Sequence, residues 1–130
     1  MAIIVQASLA PRLYSDLIGK PYADHGRGPE FFDCFGVLIE IQRRLGNRLP
    51  DYISNPDTLD EIRKDDWREV FTPEPGDGIL IRSLDPRWHV AVAIDSYQMI
   101  HIRKEGHVCI ERFDDALWKR RIEGFYRWKS

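Results

Sequence analysis

The chain has 130 residues, enough for a single domain spanning 1–130 with one substantial core and nothing left for a second module. Hydrophobic residues make up 43% and charged residues 31%, which fits an ordinary soluble globular protein. The 19 basic and 21 acidic residues are spread along the chain and leave a net charge of −2, so no basic field marks a nucleic-acid partner.

Ile3-Ile4-Val5 is too short for the core of a signal peptide and has no basic segment before it, and no run approaches membrane-spanning length. Synthesis in a cytoplasm, without a signal peptide or a membrane span, is expected. Ser8 and Pro11 predict a helix start, with Leu13, Leu17 and Ile18 as the buried stripe and Gly19 as the stop. Lys20 to Phe32 read as a Gly- and Pro-rich loop that brings Tyr22 and His25 towards a cleft. Its Gly26-Arg27-Gly28-Pro29 lacks the glycine spacing and the Lys-Ser/Thr of a phosphate-binding loop.

Asp33 then reads as an N-cap and Cys34 as the first turn of a helix, because Val37, Leu38, Ile41 and Leu45 recur at helical spacing before Gly46-Asn47 stops it. The positive end of a helix stabilises a thiolate, so a lowered Cys34 pKa is expected. Gly36 leaves room beside the sulfur for a substrate backbone. A cysteine in an apolar run is by itself more often a small buried hydrophobe. The remaining pattern is what lifts Cys34 above that reading.

Arg48 to Ser54 read as irregular, and Asn55-Pro56-Asp57 opens a further helix whose acidic and basic residues, Asp60 to Asp66, form a solvated face. After the turn Pro73 to Gly78 come short β-rich runs: Ile79 to Arg82, His89 to Asp95, Gln98 to Arg103 and His107 to Phe113. Turns at Asp85-Pro86, Asp95-Ser96 and Glu105-Gly106 leave no room for crossover helices, so the strands form an antiparallel meander. Asp114-Asp115 caps a short helix through Trp118, and Ile122 to Trp128 is the last strand. Helices first and strands after define an α+β fold.

Alternation puts His89, Ala91 and Ala93 on one face of their strand, and that face of small residues is expected to receive the Cys34 helix. Pairing through Asp95-Ser96 makes His101 a near-diagonal neighbour of His89, within roughly 7–8 Å. A division of labour follows. Cys34 attacks a carbonyl carbon; His89 takes the thiol proton and returns it to the leaving amine; His101 holds the far nitrogen of His89 and fixes its tautomer. The Cys34 backbone N–H and the Tyr22 hydroxyl are the candidate oxyanion donors. Paired C-x-x-C or H-x-x-x-H spacings are missing, so no metal or cofactor is expected. Cys109 reads as an inert strand residue, both thiols are expected free, and His25 and His107 carry little weight.

Tyr22, Asp33-Cys34-x-Gly36, Pro75-Gly76-Asp77, His89-Val90-Ala91-Val92 and Met99-Ile100-His101, in that order, resemble the NlpC/P60 family of cell-wall cysteine peptidases from about Ala10 to Trp128. The resemblance implies a reduced papain-like α+β fold, with N-terminal helices on a C-terminal antiparallel sheet. It puts the family's Cys, His and third polar positions on Cys34, His89 and His101. It also implies a peptidoglycan stem peptide as substrate, cut between D-glutamate and a diamino acid. Tyr22 and Asp33 fall where relatives hold the substrate's amine or oxyanion.

Phe35 replaces the serine usual after the nucleophile. Phe35 with Gly26-Arg27-Gly28-Pro29 is similar to the bacteriophage-tail and gene-transfer-agent branch, whose partners are tail proteins and whose place is a phage tail or tail-like particle. An acyltransferase or amidase on the same site, and a non-catalytic tail-assembly protein, are the alternatives.

Overall fold

The computed structural model describes residues 7–51, 66–83 and 88–129. The helix read from Asn55 and the turn at Asp85-Pro86 lie outside them. Between Pro11 and Gly19 the structure forms two short 3-10 turns, Pro11–Leu13 and Ser15–Leu17, in place of the predicted α-helix. The segment is too short to nucleate an α-helix, and Tyr14, at φ −148°, separates the turns. Leu17 is buried as expected, but Ile18 is 46% exposed.

Helix α1, Cys34–Arg44, starts and stops where the sequence predicts, with Gly46 past its end at φ +95°. Leu45 lies outside the buried stripe. Six strands follow: β1 Trp67–Val70, β2 Gly78–Arg82, β3 Trp88–Ala93, β4 Gln98–His101, β5 Cys109–Arg112 and β6 Ile122–Trp128. The short helix α2, Ala116–Lys119, precedes β6, and the Asp115 side chain accepts from the Leu117 N–H at 2.8 Å to cap it.

All pairings are antiparallel, in the order β1-β6-β2-β3-β4-β5. Strands β2 to β5 are the predicted meander; β6 then returns to the free edge of β2, and β1 adds outside it. Asp95 closes the β3–β4 turn by accepting from the N–H groups of Tyr97 and Gln98 at 2.9 and 2.7 Å. Val92 pairs with Ile100 and Ala93 with Met99, the register expected from that turn.

The core has two halves, one on each side of the sheet. Val37, Leu38 and Ile41 of α1 pack on Leu80, Val90, Val92, Ile100 and Ile102. On the other side Ile79, Ile81, Ala91, Ala93 and Met99 pack with Phe113, Trp118 and Phe125. The expectation that α1 covers the Ala91/Ala93 face is therefore corrected. The small residues there make room for the Trp118 indole, while the branched side chains of Val90 and Val92 offer α1 the larger apolar area.

Two polar ties fix α1 and the turn before β2. Buried Gln42 donates to the Gly76 carbonyl at 2.6 Å and accepts from Asn47 Nδ2 at 2.8 Å. Buried Asp77 accepts from Arg127 Nη2 and Nε at 2.7 and 3.0 Å and from the Glu74 N–H at 2.7 Å. The Asp of the Pro-Gly-Asp motif is thus a structural anchor joining the turn to β6.

Candidate active site

Cys34 stands in the first turn of α1, half-buried, as a free thiol. Asp33 is the N-cap: its Oδ1 accepts from the Gly36 N–H at 2.6 Å and from Arg27 Nη1 at 2.6 Å. Arg27 also donates through Nε to Asp51 at 2.9 Å, and its guanidinium lies 5.8 Å from the centre of the buried Phe35 ring. Sequence reading left Arg27 in a loop. Here it neutralises the carboxylate beside Cys34, so an ammonium brought to Asp33 would meet a competing cation. Asp33→Ala is expected to cost about 1–2 kcal/mol by loss of the cap, read as a lower urea midpoint.

Gly36 does not leave space for a substrate. A Cβ at that position would come within 2.1 Å of the Gly26 carbonyl oxygen, so the glycine is required by the loop that crosses the helix start. Gly36→Ala is expected to cost about 1–3 kcal/mol through forced backbone movement, measured by thermal unfolding. Tyr22 is half-buried, and its hydroxyl donates to Asp24 at 2.9 Å. Its proton is therefore committed to Asp24 and not offered to an oxyanion. Burial, then the Asp24 carboxylate, raises the phenol's pKa above its ordinary value.

The Cys34 thiol is pushed up to about 11, chiefly by burial and further by the Asp33 charge, while the backbone N–H groups of Val90, Phe35 and Cys34 itself pull it back. The expected lowering is not seen, because desolvation outweighs the helix end. Alkylation of Cys34 should therefore keep accelerating as pH rises through its ordinary 9.0 towards 11, a profile that iodoacetamide kinetics with the Cys109→Ser variant would record.

His89 and His101 are both buried, and Nε2 of His89 lies 2.7 Å from Nδ1 of His101 with the ring centres 5.0 Å apart. The predicted neighbourhood is there, tighter than the diagonal spacing suggested. Trp118 closes over both rings, at 6.2 Å from His89 and 5.2 Å from His101. The row continues through His101 Nε2 to Glu111 Oε2 at 2.6 Å, and Arg103 Nη2 holds both Glu111 oxygens at 2.8 and 2.9 Å. Sequence reading missed Glu111, Trp118 and Arg103.

Cys34 packs with the α1 side of the core, against the backbone of Val90, the residue next to His89. Among the described residues no hydrogen bond joins Cys34 to His89, whose bonded nitrogen is the one facing His101. His25 and His107 are exposed, and Cys109 is half-buried opposite His101 in the β4–β5 register.

Burial, then the charges of His101 and Arg103, pushes His89 down to about 3; burial also lowers His101 despite the Glu111 carboxylate. Both rings are therefore neutral near pH 7. The folded state resists protonation of groups that take up protons at pH 6.5 when unfolded. The His89 contribution to stability is complete above 6.5 and is lost as pH falls towards 3, and His101 acts in the same direction. Glu111, whose pKa is lowered, acts in the same direction. The melting temperature should drop across that window, with a slope of about 1.4 kcal/mol per pH unit for one such group. His89→Gln should flatten the slope.

His101, Cys109 and Glu111 bring a nitrogen, a sulfur and an oxygen within 4.8 Å of one another, a set of donors suited to a divalent cation. Arg103 already occupies both carboxylate oxygens, so a cation there would have to displace it.

A helix bearing a capped cysteine, laid on an antiparallel sheet that carries a histidine pair, defines a reduced papain-like α+β protein. The NlpC/P60 family profile matches residues 19–127, and the chain belongs to that family of cysteine peptidases and peptidoglycan hydrolases. Solved structures share the fold. An NLP/P60-family protein of Staphylococcus aureus subsp. aureus Mu50, described as similar to lipoprotein, matches with a TM-score of 0.68 at 18% identity, over 97% of this chain and 44% of its own. NlpC1 of Trichomonas vaginalis matches with a TM-score of 0.71 at 20% identity, over 92% and 43%. The NlpC/p60 domain of the peptidoglycan hydrolase SagA matches with a TM-score of 0.65 at 19% identity, over 89% and 93%. The chain thus spans less than half of the first two and nearly all of the third. No curated protein matches the chain.

Proposed function

We propose that this chain is a cysteine endopeptidase that cleaves peptidoglycan stem peptides, with 1–130 acting as one catalytic domain. Cys34 is the nucleophile, His89 the general base and then acid, and His101 the residue that orients His89. The observation that carries this reading is the buried 2.7 Å contact between His89 and His101, on the strand whose next residue touches the Cys34 thiol.

With a thiol raised to about 11 and a neutral imidazole, no ion pair stands ready in the resting state. Thiol and ring exchange the proton as the sulfur attacks the carbonyl carbon. The tetrahedral oxyanion meets the Cys34 N–H at the start of α1. His89 passes the proton to the leaving amine, and water then hydrolyses the thioester.

The bond between D-glutamate and a diamino acid is the proposed target, in keeping with the family. Asp33, at the helix start, and Tyr22 are the proposed contacts for the amine end of the stem, which would have to displace Arg27 from Asp33. The resemblance of Phe35 and Gly26-Arg27-Gly28-Pro29 to the phage-tail branch is what supports tail proteins as the proposed partners and a tail-like particle as the proposed site of action.

Incubation with a synthetic stem peptide and an added amine tests the chemistry. Hydrolysed product, cut after D-glutamate, supports the peptidase; amine-capped product assigns the acyltransferase; intact peptide overturns both.

A further inference from the structure

We propose that Glu111 is a positioning residue that sets the protonation of the His101–His89 row, so that Nδ1 of His89 is the nitrogen left bare for the thiol proton. The proposal rests on the assignment of Cys34 and His89 above and adds a member to it.

The argument is one of hydrogen counting. Arg103 donates to both oxygens of Glu111, and the Glu111 pKa lies below its ordinary value, so the carboxylate is ionised and can only accept. The 2.6 Å contact to His101 Nε2 therefore requires the proton on that nitrogen. His101 is neutral and has one N–H, which leaves its Nδ1 bare. The 2.7 Å contact between His101 Nδ1 and His89 Nε2 then takes its hydrogen from His89. With Nε2 protonated and the ring neutral, His89 Nδ1 holds a free lone pair.

The two histidines alone would allow the reverse order equally well; only the carboxylate at the end of the row breaks the symmetry. When Nδ1 accepts the proton from sulfur, the new imidazolium faces His101 Nδ1, which is backed by the Glu111 charge. The strand register builds this in. Met99 pairs with Glu111 and His101 with Cys109, so Glu111 lies diagonal to His101 on the same face.

Glu111→Gln tests the row without changing its shape. Arg103 draws the amide oxygen, which leaves the amide nitrogen to donate to His101 Nε2. Each ring then inverts, and His89 Nδ1 becomes protonated. Nitrogen-15 NMR of the labelled histidines should place the His89 proton on Nε2 in the parent protein and on Nδ1 in the variant. On stem peptide, kcat should fall by about 10⁴-fold, as when a triad carboxylate is replaced by its amide, with KM little changed. Adding Arg103→Met frees the amide to turn its oxygen to His101, and should return the proton to Nε2 and restore part of kcat.

If Glu111→Gln does not fold, Glu111→Ala should show a mixture of the two tautomers. A His89 proton that stays wholly on Nε2 in Glu111→Gln or in Glu111→Ala, or that sits on Nδ1 in the parent, overturns the proposal. Because the NMR result needs no turnover, a protein that cleaves nothing would sink the peptidase reading and still leave Glu111 decided.

Discussion

Cys34→Ala is expected to abolish cleavage of stem peptide while leaving the fold in place. Alanine is at home in the first turn of a helix, and the Asp33 cap on the Gly36 N–H does not involve the sulfur. Stability should therefore change little. Chemistry should not survive, because every covalent step of the proposed mechanism passes through the thiol. Removing the nucleophile of a hydrolase costs about 10⁶-fold in kcat, so product should fall to background in a mass-spectrometric assay on purified cell wall. A non-catalytic tail component would show the opposite: no cleavage by the parent protein and no effect of the variant on assembly. The paired measurement of turnover and melting temperature separates the two.

Asp77→Ala is expected to have the largest effect on stability. The side chain is 4% exposed, carries both ends of the Arg127 fork and also receives the Glu74 N–H. Breaking a buried ion pair by removing one partner costs about 3–5 kcal/mol. Here Glu74 Oε2 stays within 3.3 Å of Arg127 and partly compensates, so the lower end, about 3 kcal/mol, is expected. Urea unfolding should show the midpoint fall with an unchanged slope. The same variant should leave the His89–His101 contact intact if the two regions are independent.

Much of this structure can be read from local chemistry. The capping aspartate, the spacing of Val37, Leu38 and Ile41, and the Asp95 turn each act over a few residues, so α1 and the β3–β4 register are evident in the sequence. Strand β1 is not, because Trp-Arg-Glu-Val follows a charged stretch and buries only Trp67. Which face of β3 receives α1 is hidden for another reason. All six residues of this central strand are buried, so alternation marks two faces without ranking them. Glu111 looks like a surface residue within Cys-Ile-Glu-Arg. Registering β4 against β5 through Glu105-Gly106 is the signal that would have placed it beside His101. Arg27 gives no local sign, since its role depends on Asp33 and on Asp51, 24 residues away.

Helix α1 is clamped at both extremities. At one, Gly26, Arg27 and Asp33 enclose its opening turn; at the other, Gln42 is stapled to Gly76 and Asn47. A rod pinned at head and tail neither slides nor spins. Any change in where the Cys34 sulfur points is thus left to torsion about its Cα–Cβ bond, on the timescale of a side-chain flip.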